Sequence, residues 1–498
     1  MDPRTPVLIG AAQLNDRSGK AEPVEFMTRV AEAALADTGT PSVRERIQSI
    51  RVVGGIWPYV DPGYAVAERL SLPVEGEGRV TTTMTPIGGN EVYDLLAATA
   101  RDIQNGDLDV AVICSAETLR TRRADRAAGR DSEFITEREG AAPDHMYGVA
   151  GKEMLTETER AAGVSSAVSF YAMAETALRH DRGEAPQEHI ERVAELWAKG
   201  SAVAADNPSA WFTDPSTAEE IRTVGPGNRM VSSPYPKLMT SNINVDQAAA
   251  VVICSAEVAE AVGVPREHWV FPWSGSGAAD HWYLTSRWSL AESPAMRLSV
   301  TKATELAGIT VDDADLLDLY SCFPAAVQVA QRELGIDPDR AWTITGGLTF
   351  FGGPLNSYCL HALARSVELL RAAEGEQVAV LTGNGGFFTK HSAAVVASYP
   401  SDGPYRSERV QDAVDSLPKR DDPVEPATEG TIETYSVVFT HDGSPERAVV
   451  AVLDPTGSRT FAAITDADTL TALLSDDLVG LSVDLDRSGE VPVAVLRQ

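Results

Sequence analysis

Basic residues are scarce in this sequence of 498 residues: 42 Lys and Arg stand against 72 Asp and Glu, a formal net charge of −30. Such a field repels phosphates on average, which argues against nucleic acid as a partner and requires a local Lys/Arg cluster for any phosphorylated ligand. Cysteine is scarcer still. The four thiols, Cys114, Cys254, Cys322 and Cys359, lie far apart in apolar contexts without metal-ligand spacing, so reduced, buried thiols are favoured over metal ligands and no metal site is expected. No apolar run reaches the ~20 residues of a membrane helix. The opening "MDPRTPVLIGAAQ" lacks the basic end and small-residue cleavage site of a signal peptide, so no membrane insertion and a cytoplasmic location are expected. Also absent are a G-x-G-x-x-G that opens a helix and a phosphate-binding G-x-x-x-x-G-K-[ST], which leaves a nucleotide reading of "GNGG" weak.

What the chain does have is an alternation of β-branched strands with amphipathic helices. "PVLIGAAQ", "IRVVGGIW", "DVAVICSAE" and "AAAVVICSAE" read as strands and "VEFMTRVAEAALADTG" as a helix, which predicts an α/β protein whose strands are buried on both faces. There is an internal echo: "DVAVICSAE" (109–117) recurs as "AAVVICSAE" (249–257), and "QVAVLTGNGG" with "SAAVVASY" supplies a third and fourth version. Two similar halves follow, 1–260 and 261–405, each closed by a pair of adjacent strands. In the first half that pair is split by a polar, helical insertion at about 118–245, which reads equally as a wall over a site or as passive elaboration. A Pro- and charge-rich linker spans 406–426. Short strands, turn signals and one small helix then predict a small all-β, OB-like domain over 427–498. That domain holds twelve acids from Glu429 onward against four arginines and no lysine, so nucleic acid is disfavoured there too.

Four loops gather the residues capable of chemistry. In "RVTTTMTPIGGNEVYDLLAATARDIQNGD", Val92, Leu95, Leu96, Ala100 and Ile103 recur at helical spacing and Gly106 caps the end, so the helix begins just after Gly89. A cysteine at that turn would be activated by the helix terminus, but Gly88 and Gly89 occupy it. "LLDLYSCFPAAVQVAQRELG" places Tyr320, Ser321 and Cys322 at a strand-to-helix junction. "TFFGGPLNSYCLHALA" places Gly353, Asn356 and His361 at or near the start of a helix. "LTGNGGFFTKHSAAVV" places Gly383, Asn384, Gly385 and His391 around a hairpin tip.

These four loops on a doubled α/β framework resemble the thiolase superfamily, particularly its sterol-carrier-type, acetyl-CoA acetyltransferase-like branch, over about residues 5–400. The resemblance implies the thiolase fold: two similar βαβαβαββ halves in a five-layered αβαβα arrangement, with the insertion as the loop domain that covers coenzyme A. In that family the loops carry, in order, a nucleophilic cysteine, an Asn-Glu-Ala-Phe or His-Asp-Cys-Phe box, Gly-His-Pro and Cys-x-Gly. Carried over by position, they fall here on Gly89, on Tyr320-Ser321-Cys322-Phe323, on Gly352-Gly353-Pro354, and on Gly383 or Asn384.

Thiolysis and Claisen condensation need a thiolate to hold the acyl group, a base, and donors for the oxyanion. With only backbone donors such as the Gly89 and Gly385 N–H groups left, thiolase activity is expected to be absent. Coenzyme A or an acyl-CoA remains the expected ligand, with no covalently bound cofactor. Tyr320, alone or with Tyr358, is the candidate for a different chemistry, a retro-aldol cleavage of 3-hydroxyacyl-CoA, although space-filling is the favoured reading of that ring. Core packing is favoured for Cys322, and structural hydrogen bonding for His361 and His391. Asn90, Asn356 and Asn384 either orient a carbonyl or water or serve the turns they sit in. A third expectation is a non-enzymatic scaffold whose tail recruits a partner. Thiolases pair through the strand before the cysteine loop, here the polar "VTTTMT", so both monomer and homodimer stay open.

Overall fold

The computed structural model describes residues 1–148, 152–423 and 426–497. Two sheets of the same connectivity form its centre. The first runs in the order Pro6–Asn15, Asp246–Ser255, Val110–Thr118, Ser49–Gly54, Thr81–Ile87, His145–Met146. The strands of the echoed sequence, Val110–Thr118 and Asp246–Ser255, are adjacent and antiparallel, and every residue of both is buried. The second sheet runs Leu316–Asp318, Val378–Gly385, Lys390–Ala397, Phe271–Ala279, Arg406–Arg409.

Helices Glu91–Asn105 and Tyr358–Ala372 pack against strands of both sheets and form the middle layer. Burial on all sides is why Glu91–Asn105 carries apolar residues around most of its circumference; it stops at Gly106, whose φ of 85° suits the absence of a side chain. Pro23–Asp37 and Pro62–Arg69 cover the outside of the first sheet, and Pro294–Ala307 that of the second, which completes five layers.

The halves are not equal. Where the second would have its third strand, Thr343, Ile344 and Thr345 all donate to the carboxylate of Asp318 instead of joining a ladder. At the opposite edge, Arg406–Arg409, within the stretch read as linker, pairs in parallel with Phe271–Ala279.

The C-terminal strands Glu429–Phe439, Pro445–Leu453, Arg459–Ile464, Val493–Leu496 and Ser482–Asp486 close on themselves into a five-stranded barrel with its own apolar core and one helix, Ala467–Ser475. The barrel is no free tether. Its first strand also takes on the insertion's strand Met230–Ser232, through the pair Val438 and Ser232.

Candidate functional site

The four loops named from sequence converge. Gly89, Tyr320, Cys322, Gly353, Asn356, Asn384 and Gly385 all line one cavity of about 560 Å³. Core strands and the ends of the two central helices deliver them, so a rigid double layer positions the floor. The insertion supplies the walls: Ser165, Ser166, Ala167, Val168 and Tyr171 from the start of helix Ala167–Arg182, with Val231, Thr240, Ser241 and Ile243 from its return to the core. The sequence left this segment open between a wall and passive elaboration, and singled out none of these residues. Tyr171 in particular sits on a helix apolar on several faces, and no local pattern separates it from core.

Gly89 is demanded by close approach. A Cβ there would lie 2.6 Å from the Asn384 carbonyl oxygen and 3.0 Å from Cε2 of Tyr320. The fourth and second loops thus fill the space a side chain at position 89 would need. Tyr320 is half-buried, its backbone N–H held by Thr382 Oγ1 at 2.8 Å, while its hydroxyl has no hydrogen-bond partner among the described residues. Burial, with Cys322, Cys359 and Tyr358 nearby, pushes the Tyr320 phenol well above its usual range, so it stays protonated.

Tyr358 does not join it at the pocket. Its ring meets Tyr320 edge-on at 5.6 Å, and its hydroxyl is tied to Thr345 at 2.7 Å and Asp318 at 3.2 Å in a fully buried network. Desolvation raises Asp318 to about 6. Cys322 is the one cysteine on the cavity wall, and desolvation pushes its thiol to about 12. No thiolate forms there near neutral pH.

Asn384, not Gly383, faces the cavity. Residues alternate along the strand, so a side chain on Gly383 would meet Ser392 and Asn90 instead. Asn384 donates to the Tyr171 hydroxyl at 2.7 Å, which links insertion to core, and Tyr171 stacks on Phe323 at 4.7 Å. Asn356 lines the cavity and donates to the Gly54 carbonyl at 2.8 Å.

The remaining candidates lie elsewhere. Asn90 points behind the turn to Glu91 and Asp94, and Ser321 is fully buried beside Tyr358. His361 faces the first sheet, with Nδ1 at 3.0 Å from Gln13, and His391 packs against Phe388 with Nε2 at 3.0 Å from Ser293. Desolvation lowers both to about 3, so both are neutral and structural. Among the described residues no group of three or more His, Cys, Asp or Glu is arranged to hold a metal. No helix among them is long and apolar enough to cross a membrane.

A second cavity of about 630 Å³ adjoins the first, sharing Thr240, Ser241 and Ile243, and is lined by Arg123, Lys237, Trp211 and Phe212. The guanidiniums of Arg17 and Arg120 lie 4.9 and 5.8 Å from the Trp211 ring. On a chain of net charge −30 this gathers cations at one mouth.

Residues 409–490 match the family described as thiolase-like protein type 1 additional C-terminal domain. A crystal structure of a monomeric SCP2-thiolase like protein type 1 from Mycobacterium smegmatis superposes over 100% of both chains, with a TM-score of 0.84 and 29% identity. Human mitochondrial 3-ketoacyl-CoA thiolase in complex with CoA covers 80% of this chain and 99% of its own, with a TM-score of 0.57 and 15% identity, and so shows the fold alone. The same holds for an Ltp2-ChsH2(DUF35) aldolase, with a TM-score of 0.60 and 17% identity over 79% of this chain and 98% of that one. A probable acetyl-CoA acetyltransferase from Mycolicibacterium smegmatis is 32% identical over 142 residues, 28% of this chain. That alignment spans only 34% of the relative's own length. Doubled sheets, converging loops and matched tail agree: the chain has the thiolase fold, and residues 409–490 belong to the additional C-terminal domain of thiolase-like protein type 1.

Proposed function

We propose that this protein binds a coenzyme A thioester without carrying out thiolase chemistry. The acyl end enters the cavity at the four loops, and the phosphate-bearing end lies over the cleft of Arg123 and Lys237. The observation that carries the reading is the Gly89 turn: the helix terminus suited to activating a nucleophile carries none, and the nearby Cys322 thiol is held protonated. Neither Arg123 nor Lys237 has an ion-pair partner among the described residues, which suits them to phosphate. Titration with acetyl-CoA should give saturable binding that Arg123→Glu with Lys237→Glu abolishes. Acetoacetyl-CoA with CoA should show no cleavage above background, and robust turnover would overturn the reading.

A second reading is favoured by the Tyr320 hydroxyl, the one phenol that borders the cavity with no protein partner among the described residues. Protonated and unpaired, it suits donation to the thioester oxygen on which enolate charge develops in a retro-aldol cleavage of a 3-hydroxyacyl-CoA, with the 3-hydroxyl proton passing to solvent water. The fold shared with a structure described as an aldolase is consistent with it. Aldehyde release that disappears in Tyr320→Phe would support this reading. Equal release by that variant would reject the role.

A further inference from the structure

Among the described residues the C-terminal barrel contributes nothing to the lining of the cavity, yet it grips the two stretches of the insertion that carry Ser165 to Tyr171 and Val231. Thr434 Oγ1 donates to the Met173 carbonyl at 2.5 Å, in the middle of the helix whose first turns carry Val168 and Tyr171. Asp477 holds the end of that helix, at 2.9 Å from Arg179 and 2.8 Å from His180. Ser436 meets Ser232 at 2.6 Å, and the Val437 carbonyl accepts from Ser233 at 2.8 Å, next to the lining residue Val231. The Arg447 guanidinium sits over Gly163, where a side chain would collide with it, two residues before Ser165 of the wall. The barrel's own footing is on the second half, where buried Arg459 donates to the carbonyls of Leu284, Arg287 and Trp288.

We infer that the barrel is an intramolecular clamp that positions the pocket walls, with Thr434, Ser436 and Arg447 as positioning residues that touch no ligand. One body anchored to the core, bonded to two wall segments and packed over Gly163 restricts their opening without closing over the site. The barrel face turned toward the insertion is occupied within the chain, so this face is not where an outside partner is recruited.

Hydrogen–deuterium exchange of the full-length protein tests the clamp. In Thr434→Val/Ser436→Ala/Arg447→Ala, amides 165–173 and 230–236 should exchange at least tenfold faster, with the two central sheets unchanged. Acetyl-CoA should bind about tenfold more weakly to the same variant. The single Thr434→Val should show a smaller rise confined to 165–173, even if the triple variant does not fold, and Thr434→Ser should return both readouts to wild type. Exchange that rises only within the barrel strands, or equally everywhere, would overturn the clamp, as would unchanged exchange. The exchange measurement needs no ligand, so a failure of acetyl-CoA to bind wild type would count against the proposed function alone.

Discussion

Each half of the framework ends a core strand in one buried carboxyl, and the two are treated in opposite ways. In the second half Asp318 accepts from Thr343, Thr345, Tyr358 and the Ile344 backbone N–H, and is raised to about 6. In the first half Glu117 accepts from the Ile56 N–H at 2.9 Å, its second oxygen has no partner among the described residues, and desolvation raises it to about 7. The junction above Asp318 is locked by side chains; that of the first half is shaped by backbone approach at Gly54, Gly55 and Gly89. The pocket is accordingly asymmetric: the first half gives it backbone and the insertion, the second gives it side chains.

The largest expected effect comes from unlocking the second half. Asp318→Ala leaves several buried donors without an acceptor and should cost about 4 kcal/mol of unfolding free energy, read by chemical denaturation. A loss below about 1 kcal/mol would erase the contrast between the halves. Next is Gly89→Cys, which overpacks the first junction against the Asn384 carbonyl and Tyr320. It should cost about 1–3 kcal/mol and give no acetoacetyl-CoA thiolysis; recovered turnover would mean that the missing thiol alone separates this pocket from a working thiolase.

Glu117→Gln tests the uncompensated carboxyl. A folded pKa raised from 4.5 to about 7 means the native state holds the proton longer than the unfolded chain. That contribution is complete below about pH 4.5 and is lost as pH rises through 7. The variant should therefore match wild type near pH 4 and exceed it by up to about 3 kcal/mol at pH 8, in paired denaturation curves. A constant offset at every pH would assign the effect to packing. Smallest is Tyr320→Phe: with no protein partner to lose, its stability should stay within about 0.5 kcal/mol of wild type, so any change in ligand handling reports the hydroxyl itself.

Much of this was legible in the sequence, for reasons that can be named. "DVAVICSAE" and its echo are fully buried strands, whose apolar runs do not depend on distant partners. The four loops were marked by their Gly, Pro and Asn, which serve local turn geometry, and they meet around one cavity. His361 and His391 were equally visible but sit on buried faces, since position beside a loop does not set the direction of a side chain. Gly383 and Asn384 differ by one residue, and only the pleat decides which faces the cavity. Tyr171, Arg123 and Lys237 could not be named, because their role depends on where a long insertion folds back. Nor could the third strand of the second half, which Thr343, Ile344 and Thr345 forgo in favour of a single carboxylate.

The strand Glu429–Phe439, which the barrel shares with the insertion, also sets an order in time. During synthesis both core sheets and all four loops emerge before residue 410, while the groups that bond to Met173, Arg179 and Ser232 emerge only after residue 430. Chains are made at about 5–20 residues per second, so a nascent chain spends several seconds with its core strands available and its pocket walls unheld. The pocket floor is therefore in place before its walls are held, and a chain stopped between the core and the barrel keeps the first without the second.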